Sequence, residues 1–249
     1  MERALSEEET LDRLAGDWQI LQLRRGHRYA TDDVLTAWIA LLARPAARSV
    51  LDLGAGVGSI GFLVLRLLAP EARLTAVEAL AESHSLALRT AERNGIGHRV
   101  DLRLGDLRAA GVLGSSEAFD LIVANPPFLT PGTAWASPYP ERSAARFELR
   151  GDLFDYCRVA ARHIAEEGRL CFCFPATDPR AEAAVAQAGL AVLESRRVVF
   201  RQGRPPRLAL FVCGRRGERK TGPDLCVRDR TGQRTAAYLE VMRLLEMVE

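Results

Sequence analysis

The chain has 249 residues, 48% hydrophobic and 27% charged, ordinary values for a globular domain with a sizeable core. Lys220 is the only lysine among 34 basic residues. It sits in a polar run that excludes a phosphate-binding P-loop, a Schiff-base lysine and a kinase strand lysine. The net charge of +2 selects neither a polyanion nor a membrane, but between Arg196 and Lys220 nine basic residues stand against a single acid, Glu218.

From the N-terminus, Ser6 to Ala15 has helix character, with Leu11 and Leu14 on one face. Trp18 to Leu23 alternates like a strand and runs into Arg24-Arg25-Gly26-His27-Arg28, a hairpin-like basic tip. Thr31-Asp32-Asp33 offers side-chain oxygens to cap an apolar helix from Val34 to Ala43. These first 44 residues are expected to form an extension, with the main domain spanning 45–249. In that domain strands are expected at Ser49–Leu53, Ala72–Val77, Val100–Leu104, Phe119–Ala124 and Arg169–Phe174. Helices are expected between them at Ile60–Leu68, Glu82–Asn94 and Asp152–Ala165, then at Pro179–Ala188. Leu190–Phe200 and Arg207–Cys213 follow without a helix between them, which reads as an antiparallel hairpin at the sheet edge. A short β-like piece near Leu225–Val227 and a helix from Ala236 to Val248 close the chain. The pattern is α/β: a Rossmann-like, doubly wound, mostly parallel seven-stranded sheet with an antiparallel edge hairpin.

The five cysteines show no CxxC and the four histidines no ligand spacing, so reduced cysteines and no metal are expected. The acidic N-terminus lacks the pattern of a secretory leader, and no apolar run reaches membrane-spanning length; a cytoplasmic location is expected.

Two motifs carry the chemistry. Leu51-Asp52-Leu53-Gly54-Ala55-Gly56-Val57-Gly58-Ser59-Ile60-Gly61 is a glycine-rich turn from strand to helix, and Glu78 ends the next strand. Glycines there let backbone approach a ligand closely, and a carboxylate at that distance suits ribose hydroxyls. This pattern alone says nucleoside-containing cofactor, with NAD and S-adenosylmethionine both open. The second motif, Asn125-Pro126-Pro127-Phe128, follows the fourth strand, at the sheet end where α/β folds bind ligands. An amide or exocyclic nitrogen is a poor nucleophile because its lone pair is delocalised. The Asn125 side-chain oxygen and the Pro126 carbonyl can accept its two N–H groups, orient the lone pair and stabilise developing positive charge. Phe128 offers a face on which to stack a planar group.

With these motifs the sequence resembles the class I S-adenosylmethionine-dependent methyltransferases of the small-domain group. More narrowly, it is similar to the bacterial tRNA1(Val) adenine-37 N6-methyltransferases. The resemblance also takes in Tyr29-Ala30-Thr31-Asp32-Asp33, the strand Arg207-Leu208-Ala209-Leu210-Phe211, and the stretch from Val227-Arg228 to Ala237-Tyr238. It implies S-adenosylmethionine as cofactor, held by Asp52, Gly54, Gly56, Gly58, Glu78, Asp106, Leu107 and Asn125, with Thr31 and Asp32 closing the pocket. Asn125, Pro126, Pro127 and Phe128 would hold the target base. This family more often has Tyr at the position of Phe128, which leaves the identity of the base open; Phe occurs there in guanine-N2 methyltransferases.

The activity expected is methyl transfer to N6 of an unpaired adenine in RNA, tRNA above others, since a base must leave its stack to reach Phe128. Arg24, Arg25, Arg28, Arg201, Arg204 and Arg207 are candidate phosphate contacts. The long segment Leu129 to Arg150 is placed to gate or contact substrate. The rivals are an N5-glutamine protein methyltransferase using the same Asn-Pro-Pro chemistry, a guanine-N2 RNA methyltransferase, an NAD-dependent oxidoreductase, and a silent RNA-binding subunit.

Overall fold

The computed structural model describes residues 5–26, 28–129 and 147–248. The expected gating segment therefore lies largely outside the described residues, as does His27 of the basic tip.

The first departure from expectation is at the N-terminus. Glu9–Ala15 is not a helix but a strand, β1, paired antiparallel with β2, Trp18–Leu23. Gly16, at φ +55°, supplies the tight turn between them, and a turn two residues long forces two strands together. The hairpin turn is thus at Gly16-Asp17, and the Arg24–Arg28 stretch is a connection into the first helix rather than a hairpin tip. The hairpin lies on a later helix: Leu21 N–H donates to Thr90 Oγ1 and Gln19 N–H to Asn94 Oδ1.

Helix α1, Thr31–Ala43, starts inside the expected cap. Its N-cap is Ala30, whose N–H donates to Asp33 Oδ2 at 2.9 Å, and Thr31 makes no capping bond. Nine of its thirteen residues are buried, so it belongs to the core rather than to the surface. Then β3 (Ser49–Leu53), α2 (Ser59–Leu67), β4 (Arg73–Glu78), α3 (Ala81–Arg93), β5 (Val100–Leu104) and β6 (Phe119–Ala124) alternate as expected. Helix α4 (Leu153–His163) is capped by Asp152, whose side chain accepts the Asp155 N–H. Strand β7 begins at Ile164, ahead of the expected Arg169, and runs to Pro175. A break in its pairing with β6 between Phe119 and Leu121 absorbs the extra length. Helix α5 (Arg180–Gln187), strands β8 (Ala191–Val199) and β9 (Leu208–Gly214), the two-residue strands β10 (Lys220–Thr221) and β11 (Leu225–Cys226), and helix α6 (Ala236–Leu244) complete the chain.

The main sheet runs β10-β8-β9-β7-β6-β3-β4-β5, with β11 also on β8. The seven expected strands are joined by β10 and β11, which pair with β8 in parallel and cover its open side. Only β9 runs against the rest, pairing antiparallel with both β7 and β8.

The period-two alternation of the strands sorts the core into two faces. Val50, Leu121, Val123, Cys171 and Cys173 meet the side that holds α1, α2, α3 and α6. Leu51, Leu53, Ile122, Phe172 and Phe174 meet α4 and α5. Leu14 and Ile20 of the hairpin and Leu35 and Ile39 of α1 belong to the first cluster, so residues before 45 share one core with those after it.

Candidate active site

Strand register assembles the site. Leu53 is paired with Val77 on one side and Ala124 on the other, so the next residues, Gly54, Glu78 and Asn125, emerge side by side at the carboxyl edge of the sheet. Gly54 and Ala55 N–H both donate to Val77 O, at 2.9 and 3.0 Å, folding the loop over β4. Glu78 is 7% exposed and latches that loop: its Oε2 accepts Gly56 N–H and its Oε1 accepts Leu80 N–H, each at 2.7 Å.

Gly54 and Gly56 play different parts within the loop. A Cβ on Gly54, at φ +68°, would lie 2.3 Å from Tyr156 Oη, so this glycine makes room for the tyrosine that roofs the cavity. A Cβ on Gly56, at φ +58°, would meet nothing within 4 Å, leaving bare backbone open to the cavity. Gly58 is the N-cap of α2 and packs against the Phe62 ring, away from the cavity.

Five other expected site residues are placed differently from one another. Asp32 and Leu107 line the cavity. Asp52 does not: it is 1% exposed, its Oδ2 accepts Gly61 N–H at 2.9 Å, and burial pushes its pKa up to about 7. It anchors the loop from beneath instead of meeting a ligand. Thr31 occupies the first position of α1, outside the cavity lining. Asp106 is turned away: its carboxylate accepts the Arg108 backbone N–H at 2.9 Å and the guanidinium at 2.6 Å, which holds its pKa below the usual range. The wall at that point is made by Gly105 and Leu107.

The Asn125–Phe128 motif closes the other side of the same cavity. Asn125 Nδ2 donates to Asp32 Oδ2 and to Asp33 Oδ1, each at 2.9 Å, while its Oδ1 accepts the Cys173 thiol at 3.1 Å. Carboxylates only accept, so this arrangement assigns the amide orientation. The Phe128 ring stands edge-on to Phe174, centroids 6.4 Å apart at 84°. Arg180 secures the turn, donating to Phe128 O at 3.1 Å and to Glu148 Oε1 at 2.6 Å while lying over the Phe174 ring. Asp33, Tyr156, Arg150 and Ser83 also line the cavity and were not among the expected site residues. Asp33 carried a signal as the second acid of Asp32-Asp33, and Arg150 as the end of the long segment after the Asn-Pro-Pro-Phe motif.

The candidate phosphate contacts divide by their partners. Arg28 is held by Asp12 at 2.8 Å and by Thr10, while Arg24 and Arg25 are exposed. Arg201, Arg204 and Arg207 are exposed in the β8–β9 connection. Because β9 starts opposite Pro175, the end of β7, that connection sits at the same sheet edge as Asn125. Among the described residues, no cluster of His, Cys, Asp and Glu is arranged to hold a metal ion, and no helix is long and apolar enough to cross a membrane.

The residues present fit S-adenosylmethionine. Gly56 leaves open space against backbone, Glu78 stands where ribose hydroxyls can be met, and Ile60, Leu80 and Leu107 offer apolar walls for a flat base.

Comparison with known proteins agrees with the geometry. Residues 30–154 match the family model of the methyltransferase small domain. The chain is 24% identical over 217 residues to a tRNA1(Val) (adenine(37)-N6)-methyltransferase of Haemophilus influenzae, covering 87% of this chain and 90% of that one. It is 26% identical over 214 residues to the protein of the same name from Tolumonas auensis, covering 85% and 86%. Among solved structures it resembles a predicted O-methyltransferase from Agrobacterium tumefaciens, with a TM-score of 0.61 at 19% identity, covering 88% of this chain and 98% of that one. The glycine loop latched by Glu78, the Asn-Pro-Pro-Phe turn facing it and the family match over both converge: the chain belongs to the methyltransferase small-domain family and uses S-adenosylmethionine as its cofactor.

Proposed function

We propose that the protein transfers the methyl group of S-adenosylmethionine to N6 of an unpaired adenine in RNA, with tRNA as the substrate class. The observation that carries this reading is the state of Asn125. Both of its N–H groups are committed to Asp32 and Asp33, so the amide meets an incoming amine with its oxygen. That oxygen takes one bond from Cys173 and keeps a second lone pair for the substrate.

The cofactor, when bound, supplies an electrophilic methyl group. Asn125 Oδ1 and the Pro126 carbonyl accept the two N–H groups of the target amine, turning its lone pair toward the cavity and stabilising positive charge on nitrogen. The Phe128 ring, held edge-on by Phe174, offers its face to a planar base. The backbone of the turn is anchored by Arg180 at the Phe128 carbonyl, which keeps these acceptors in place.

A basic rim supports a nucleic-acid substrate. Exposed Arg201, Arg204 and Arg207 in the β8–β9 connection adjoin exposed Arg228, Arg230 and Arg234 in the segment after β11. The two segments are tied together, Gln202 N–H donating to Arg228 O and Arg201 to Arg230 O, each at 2.8 Å. The acid among them, Asp229, is occupied by Thr231 and Gln233. Such a rim suits sequence-independent phosphate contacts beside a pocket that reads one base. The names of the curated relatives support the same acceptor.

The test is incubation with labelled S-adenosylmethionine and total tRNA, followed by nucleoside analysis. Label in N6-methyladenosine is expected. Label confined to N2-methylguanosine, or to glutamine in protein, overturns the reading.

A further inference from the structure

An amide side chain has two ends of nearly equal shape and opposite hydrogen-bonding character. If Asn125 is to accept a substrate amine, its oxygen must face that amine. The flipped rotamer would set N–H against N–H, and nothing in the shape of asparagine prevents it.

The first turn of α1 supplies what the shape does not. Asp32 Oδ2 and Asp33 Oδ1 each accept one N–H of Asn125 at 2.9 Å, across more than ninety positions of sequence (93 and 92). Reversing the amide would aim its oxygen at two carboxylates. Asp33 is itself rigid: it is 3% exposed, its Oδ2 accepts the Ala30 N–H at 2.9 Å, and the Ser59 hydroxyl faces it from α2. From the opposite side, the buried Cys173 thiol of β7 meets Asn125 Oδ1 at 3.1 Å. Hydrogen bonding of both N–H groups to carboxylates also shifts electron density toward the amide oxygen and strengthens it as an acceptor.

We infer that Asp33, together with Asp32, is a positioning residue for methyl transfer: the pair fixes the orientation of the Asn125 amide so that its oxygen is presented to the substrate nitrogen. This rests on the reading that Asn125 accepts the target amine. Asp33 has no direct part in the chemistry and acts through Asn125 alone.

The conservative substitution Asp33→Asn makes a specific conflict. Its single side-chain oxygen cannot both accept the Ala30 N–H and leave an oxygen facing Asn125. The fixed backbone donor takes it, so the new NH2 group faces Asn125 and favours the reversed amide. Misorientation of one acceptor is expected to lower kcat by about 10–100-fold, while the RNA KM and the cofactor Kd stay within about twofold.

The decisive measurement is a double-mutant cycle in single-turnover methylation, with Asp33→Asn, Asn125→Ala and their combination. Full coupling is expected: once Asn125 is alanine, Asp33→Asn lowers the rate no further. An Asp33→Asn effect that persists unchanged in the Asn125→Ala background overturns the inference. Asp32→Asn, on the less buried member of the pair, runs through the same cycle if Asp33→Asn does not fold. An independent readout is the side-chain NH2 resonance of Asn125 in a 15N-labelled sample, assigned by its loss in Asn125→Ala. Slow solvent exchange in the parent protein and at least about tenfold faster exchange in Asp33→Asn are expected, since bonded and buried N–H groups are protected. Equal exchange in both proteins refutes the clamp. The resonance experiment needs no substrate, so a wrong assignment of the acceptor and a wrong assignment of the clamp give different results.

Discussion

Replacing Asn125 by Ala removes two donated hydrogen bonds and one accepted one, to Asp32, Asp33 and Cys173. Two consequences can be separated. For catalysis, the loss is one of two aligned acceptors for the substrate amine, and an acceptor of this kind is worth about 10²–10³ in rate. For stability, the Asp32 and Asp33 carboxylates lose their shared donor. Burial and the charge of Asp32 already raise the pKa of Asp33, so without the Asn125 donor the carboxylate takes up a proton more readily while keeping its bond from Ala30. That limits the expected destabilisation to about 1–3 kcal/mol, within the usual range for a lost bond to a charged group. Cofactor affinity is expected to change little, since Gly56, Glu78 and Leu107 line the cavity from the ends of other strands and the loops after them. Single-turnover methylation, calorimetric titration of the cofactor and thermal unfolding measure the three quantities. Turnover near that of the parent protein would refute the assignment of Asn125 to the reaction.

Glu78→Ala removes a 7% exposed carboxylate that latches Gly56 and Leu80, and it is expected to weaken cofactor binding by about 1.5–3 kcal/mol. Unchanged affinity by calorimetry would place the ribose elsewhere. Gly56→Ala adds a Cβ that meets no protein atom but occupies the open cradle at φ +58°. It should cost only the left-handed backbone strain of about 1–2 kcal/mol while lowering cofactor affinity, so equal affinity in parent and variant counts against the cradle. Arg204→Glu with Arg207→Glu should raise the RNA KM and flatten its salt dependence without touching cofactor affinity; an unaltered salt slope would leave the basic rim without a role. Burial raises the pKa of Asp52 to about 7 from 3.8, and that of Asp33 is raised too, so between these limits the folded state holds protons that the unfolded chain has released. Their contribution to stability therefore declines as pH rises from about 4 to about 7 and levels off above. Asp52→Asn should make the decline shallower in thermal unfolding, and an equally steep decline in that variant would contradict it.

Much of this protein was legible in its sequence because the signals are local. Strand and helix periods between Ser49 and Gly214, the glycine loop, Glu78 at a strand end and Asn125-Pro-Pro-Phe at another each depend on a few consecutive residues. They were enough to predict a mostly parallel sheet and to separate a methyl-transfer site from a dinucleotide site. The tertiary structure decided what depends on distant partners. Glu9–Ala15 is a strand because Trp18–Leu23 pairs with it across Gly16, against the helical spacing of Leu11 and Leu14. Asp52 and Asp106 look alike in sequence, each beside a glycine-containing turn. Only the fold shows Asp52 sealed beneath α2 by Gly61 and Asp106 drawn away by Arg108. The role of Asp33 was equally hidden, since a helix-start aspartate reads as a cap, and its partner lies 92 positions away. A side chain's chemistry is encoded locally, but which atom it faces is fixed by strand register and helix placement, and those are set by the burial of the whole core.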